Sequence, residues 1–266
     1  MKLSLNIVFI FFVVNLSLAA KLSLEGTYQG KNIFVQNPSD VGGFGFCISK
    51  IYVNGDIVPV NFNATTISVD LKSMKISIGE PIFLVIHHGD DCTPVILNPE
   101  VLLPKSTFEL QSISASPSGE LVWTSTGESG KLNFIVEQYK WDKWVTVGEV
   151  MGEGKSGTNN YIFKLFPHSG KNEVRVSQID NTLKKRSSKS YSFISTTSKV
   201  FKSPTKVNDY VTFKSNGKEV ETYYEIFDAY GNILKSGKST KVDCRNLLNG
   251  LYFINFDNST EKFIKN

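Results

Sequence analysis

Histidine, cysteine, methionine and tryptophan each occur only three times in 266 residues, and proline nine times. His87, His88 and His168 are therefore the whole stock of imidazole bases for nucleophilic chemistry. There is no Gly-x-Ser-x-Gly elbow and no Gly-rich phosphate loop ending in Lys-Ser/Thr. Neither sign of charge dominates: 29 Lys and Arg stand against 25 Asp and Glu, a net of +4 at pH 7. Spread evenly, so small a charge gives no field for a nucleic acid or a membrane surface, and no nucleic-acid partner is expected. Long apolar runs are missing after the first segment, so no transmembrane helix is expected in the mature chain. What is present, 41% hydrophobic and 20% charged residues, suits folded modules and not a disordered polymer or a multi-span membrane protein.

The first segment reads as a secretory signal, residues 1–19. Met1-Lys2 gives a positive start, residues 7–14 are uninterruptedly apolar, and Ser17-Leu18-Ala19 places small residues before the expected cut. Eight apolar residues rise about 12 Å as a helix, too short for a hydrocarbon core of about 30 Å. Export into an oxidising compartment makes a disulfide of two cysteines in one module the expectation. Cys47 and Cys92 both fall in the first module, and Cys244 stands apart in a later one.

The rest of the chain reads as all-β, three small β-sandwich modules at residues 20–105, 106–195 and 200–266. Val, Ile, Phe, Tyr and Thr alternate with period two, as over residues 65–71 and 133–138, between frequent Gly, Asn, Asp, Ser and Pro. In the first module strands are expected at 27–35, 45–53, 65–71 and 81–87, with Asn54-Gly55 as a hairpin turn. In the second they are expected around Trp123, at 133–138, through a hairpin over 140–148, and at 160–165, 172–180 and 188–194. Trp144 is expected in the core, with Trp141 the better placed to stack on a sugar or peptide. Lys184-Lys185-Arg186 with Lys189 is expected at a solvated hairpin tip. Ser195-Thr196-Thr197-Ser198 reads as a linker.

Leu121, Trp123, Glu137, Trp144, Val147-Gly148, Tyr161, Arg175 and Gln178-Ile179-Asp180 give the second module a pattern that resembles a fibronectin type III module. Val174 stands where many such modules place Tyr, which puts a tyrosine corner in doubt. In the tail, Phe201-Lys202-Ser203-Pro204, Tyr224 to Asn232, Leu248 to Ile254 and Lys262-Phe263-Ile264-Lys265 follow one another in order. This sequence is similar to the type A C-terminal sorting domain of the type IX (Por) secretion system of Bacteroidota. The resemblance implies Sec export to the periplasm, recognition by the outer-membrane translocon and cleavage of the tail by its sortase near residues 195–202. It commonly implies transfer of the new carboxyl end to an anionic lipopolysaccharide as well. The residues carrying the signal are Pro204, Asp228, Gly231, Gly250, Tyr252, Lys262, Phe263 and Lys265, and the expected location is secreted or on the outer-membrane surface. The first box departs from the family in lacking Asn before Pro, and Cys244 occupies a strand normally without a thiol. Read physically, Gly231 and Asn249-Gly250 supply positive φ in turns, and Lys262 to Lys265 form an edge strand whose charges resist stray pairing.

His87-His88-Gly89-Asp90-Asp91-Cys92 gathers metal-ligand types of mixed softness, but strand alternation turns His87 and His88 to opposite faces. The cluster reads as a turn with Cys92 in the disulfide, so neither metal nor cofactor is expected. Asp90 and Asp91, adjacent in a turn, make a poor glycosidase pair, and His168 lies in a loop. A non-catalytic surface cargo is expected, with an unknown ligand met by residues 24–32 and 36–38 if the first module binds one. Two rivals are a surface cargo that signals the state of type IX secretion to the envelope and a small secreted hydrolase in the first module.

Overall fold

Alternate burial along short strands builds most of the described residues. The structure is a computed structural model that describes residues 20–40, 43 and 45–266, so the signal reading of residues 1–19 lies outside the described residues. Within them the helical segments are two 3-10 turns, Leu71–Met74 and Pro99–Leu102, and no helix is long and apolar enough to cross a membrane. The chain divides into two compact units, residues 20–76 with 81–102, and residues 77–80 with 103–266.

In the first unit Ala20–Thr27, Pro81–His88, Ile48–Val53 and Asp56–Ile57 lie side by side, and Thr66–Val69, Ile33–Gln36 and Val95–Ile96 form a second sheet. Pro81–His88 turns Ile82, Leu84, Ile86 and His88 inward, and the three aliphatic side chains meet Ile33, Val35, Ile51, Val53 and Val69 in one core. Asn54 and Gly55 take φ of 52° and 93°, the pair of left-handed positions that a two-residue hairpin turn requires. The strand expected over residues 27–35 is broken. Gly30 at φ 75° bends the chain out of Ala20–Thr27 and lets Ile33–Gln36 join the other sheet.

The second unit holds two sheet pairs. In one, Asn159–Lys164, Glu120–Thr126 and Glu109–Ala115 face a sheet ordered Lys143–Met151, Asn133–Lys140, Lys171–Ile179 and Lys185–Ser187, with Tyr191–Ile194 also on Lys171–Ile179. With those last two short strands sharing one neighbour, this is the three-against-four arrangement expected of a fibronectin type III-like module. Trp123 is 1% exposed and lies stacked on Tyr161 at 5.1 Å, with Phe134 edge-on. Gly148 sits beneath the Phe163 ring, where a Cβ would come within 2.4 Å.

Two expectations for this module need correction. Trp144 is not in the core: it is half-buried on the sheet surface under the Arg175 guanidinium at 4.1 Å. Lys185 and Arg186 are not a hairpin tip but part of the strand Lys185–Ser187, and Lys185 Nζ donates to Glu137 at 2.7 Å.

In the tail, Phe201–Ser203, Tyr210–Ser215 and Lys218–Glu219 form one sheet, with Lys241–Asp243 also on Tyr210–Ser215. The facing sheet runs Lys206–Val207, Ser259–Lys265, Gly250–Phe256, Thr222–Phe227 and Ile233–Ser239. Between them lie Val211, Phe213, Ile226, Ile254, Phe256 and Phe263. The closing strand is not an edge, contrary to expectation. Lys206–Val207 pairs in parallel with Ile264 and Lys265, covering backbone groups that the charged flanks alone were expected to protect.

Candidate functional site

The tail's signal residues come from four separate stretches, and strand register gathers them. Gly250 lies opposite Lys265, Tyr252 opposite Phe263 and Phe253 opposite Lys262. Phe227 pairs with Phe253, so the turn that follows it, Asp228 to Asn232, emerges at the Gly250 end of the sheet. Lys206 pairs with Ile264, bringing Pro204, two residues earlier, to the same sheet. The sequence order gave no hint of this gathering, because it depends on which residues stand opposite one another across three strands.

Each residue has its own physical part. One carboxylate oxygen of Asp228 accepts the N–H groups of Tyr230 and Asn232, both at 2.9 Å, and the other accepts the Asn232 side-chain amide at 2.9 Å. These bonds, the Asn232 amide foremost, hold the Asp228 carboxyl below its ordinary pKa. Gly231 takes φ 87°, where a side chain would be strained. Tyr252 stacks on the fully buried Phe263 at 5.6 Å and donates its hydroxyl to the Leu248 carbonyl at 2.9 Å. Lys265 is 8% exposed and turns its ammonium onto the Asn266 carbonyl, while Lys262 and Pro204 are exposed. Gly250 departs from expectation. It opens the strand Gly250–Phe256 as an extended residue and is not among the positive-φ glycines, because its pairing with Lys265 requires strand geometry. Cys244 is wholly buried, and burial pushes its thiol pKa up.

At the opposite end of the same strands, the hairpin after Phe256 meets the preceding module. Asp257 accepts the Ser169 N–H at 2.7 Å, the Ser169 hydroxyl at 2.5 Å and the Val200 N–H at 3.3 Å. Lys143 pairs with Glu225 at 2.7 Å, and Lys238 lies 3.7 Å from the centre of the Phe166 ring. A cavity of about 270 Å³ opens here, lined by Lys140, Phe166, His168, Tyr223, Lys238 and Asp257 among others. Ser, His and Asp thus meet, but not as a relay: the Ser169 hydroxyl bonds directly to Asp257, and His168 Nδ1 lies 2.9 Å from the Ser169 carbonyl. A relay needs the imidazole between hydroxyl and carboxylate.

In the first unit a disulfide joins Cys47 to Cys92, Cα atoms 5.9 Å apart. His88 is placed beside it, while His87 points to the other face and packs on Tyr52 at 5.3 Å. Sequence alternation separated the two histidines; it did not show that Cys47, forty-odd residues earlier, joins one of them. The candidate ligand face needs correction. Tyr28 is 4% exposed and Asn37 wholly buried, with the Asn37 amide donating to the Phe62 and Ala64 carbonyls at 3.0 and 3.1 Å and its oxygen accepting Ile48 N–H at 2.9 Å. Asn37 is an internal strut, since its amide satisfies backbone groups that no strand pairs.

Residues 199–266 match the family described as the secretion system C-terminal sorting domain. The tail is that of a type IX secretion cargo. The chain matches no curated protein. Among solved structures it is similar to the FN1–FN3 domains of chicken CNTN1, with 15% identity, 88% of this chain and 89% of that one covered, and a TM-score of 0.26. It is also similar to fibronectin(III)-like modules of Clostridium thermocellum CbhA, at 11% identity, 59% and 92% coverage and a TM-score of 0.22. A tetra-tandem repeat in the extending region of a large adhesion protein gives 12% identity, 93% and 69% coverage and a TM-score of 0.27.

Proposed function

We propose that this protein is a non-catalytic cargo that enters the periplasm by Sec through residues 1–19 and crosses the outer membrane by the type IX translocon. In this reading residues 20–105 and 106–195 are the delivered modules, and the tail is the address removed by the sortase, with the new carboxyl end passed to an anionic lipopolysaccharide. The observation that carries it is the match of residues 199–266 to a secretion sorting domain. The Asp228 to Asn232 turn and the Gly250–Lys265 pair lie at one end of the tail sheet and the Ser169–Asp257 contact at the other, and of the signal residues Lys262 and Pro204 are exposed, which supports it further.

The test compares the full chain with one lacking residues 199–266 in a Bacteroidota cell with an intact translocon. The full chain is expected on the surface, beginning at Ala20, shortened at its carboxyl end and carrying glycan by mass spectrometry. The truncated chain is expected to remain periplasmic. Equal surface delivery of both would overturn the reading.

A further inference from the structure

His88 is the last residue of Pro81–His88 and lies on its buried face, 9% exposed. In register it stands opposite Ile48, the neighbour of Cys47, which is 5% exposed. The turn Gly89 to Asp91 then returns Cys92 to the same spot, with Gly89 N–H held by the Cys47 carbonyl at 3.1 Å. One ligand atom from each of Cys47, His88 and Cys92 lies within 4.8 Å of the other two. His88 Nδ1 lies 2.8 Å from the Gly89 carbonyl. A carbonyl only accepts, so this contact calls for a proton on Nδ1, and in the neutral ring the nitrogen left to bind a metal is Nε2. Fixing the tautomer through the other ring nitrogen is how metal-binding histidines are oriented.

We propose that Cys47, Cys92 and His88 form a redox-gated site for a thiophilic divalent cation of the zinc type. The site is open when the two cysteines are thiols and closed when they are joined. Two thiolates and one neutral imidazole are a donor set suited to zinc, with the fourth position left to water. Thiolate, not disulfide sulfur, is the metal ligand. Opening the site takes two electrons and two protons from a dithiol, which itself becomes a disulfide as the Cys47–Cys92 bond breaks. Metal binding then releases the two thiol protons as the two sulfur–metal bonds form. The same pair thus serves two exclusive states, a metal site before oxidation and a covalent staple after it.

The probe is Co²⁺, whose tetrahedral thiolate complexes absorb in the visible, added anaerobically to the full chain carrying Cys244→Ser, which leaves only the two thiols in question. In the reduced protein the bands are expected to saturate at one equivalent and to vanish on adding Zn²⁺; in the oxidised protein they are expected to be absent. His88→Ala is expected to weaken binding by about tenfold or more, since loss of even an outer-shell partner costs about 10–100-fold. His87→Ala is expected to leave it unchanged. The same titration in concentrated urea gives the affinity of two unorganised thiols. Reduced protein that binds no more tightly than this, bands of equal strength in His88→Ala, or bands in the oxidised protein would each overturn the proposal.

Discussion

Asp257, in the tail, accepts both the backbone N–H and the hydroxyl of Ser169, in the preceding module, at 2.7 and 2.5 Å. It does so from a left-handed position, φ 50°, which Asp and Asn tolerate better than most residues. Asp257→Ala leaves the part-buried Ser169 donors and the buried Val200 N–H without their acceptor and is expected to cost about 1–3 kcal/mol. Asp257→Asn keeps the backbone preference and one acceptor and is expected to cost less. Limited proteolysis of the full chain is the check: cutting within residues 195–200 should accelerate in the order wild type, Asn, Ala. Equal rates would show that the clasp does not hold the tail.

Lys140 is 4% exposed, and burial lowers its pKa to about 8, only partly opposed by the charge of Asp257. Between about 8 and the ordinary 10.5 the folded chain therefore holds fewer protons than the unfolded one. Stability contributed at this site rises with pH through that window, and the cost of the buried charge is complete below it. Lys140→Met is expected to stabilise the second unit by about 1–3 kcal/mol at pH 7, with the gain fading above pH 10. Urea midpoints of the two proteins across pH 6–11 would show the convergence; parallel curves would contradict it.

Glu137 is 3% exposed and accepts from Arg175 at 2.9 Å, Lys185 at 2.7 Å and Ser177 at 3.0 Å. Desolvation raises its pKa, yet the bonds from Arg175, Lys185 and Ser177 outweigh it and the net shift is downward. The stability it contributes is present above the ordinary value of 4.5 and is lost as pH falls through the lower folded value. Glu137→Gln leaves two cations without their carboxylate and is expected to cost about 3 kcal/mol at pH 7, with a smaller difference at pH 3. Chemical denaturation at the two pH values measures both.

The Cys47–Cys92 bond closes a loop with a sequence separation of 45. Restricting that loop in the unfolded chain is worth about 2–4 kcal/mol. Cys47→Ser is expected to lower the melting temperature of the first unit under non-reducing conditions and to leave the second unit's transition in place. With a reducing agent present, the two proteins should melt together in metal-free buffer.

Sequence alone determined the material of this protein: all-β structure from period-two alternation, the Asn54-Gly55 and Asp228 to Asn232 turns from residues that tolerate positive φ, and the sorting tail from four ordered motifs. These features are local, so neighbours along the chain carry them. What faces what was decided only by tertiary structure. Trp144 came to the sheet surface and Asn37 to the interior, Lys206–Val207 covered the closing strand, and His88 met the cystine. Most of these depend on contacts between segments far apart in sequence, as Trp144 with Arg175 and His88 with Cys47, and along a strand a shift of one residue reverses the face a side chain occupies.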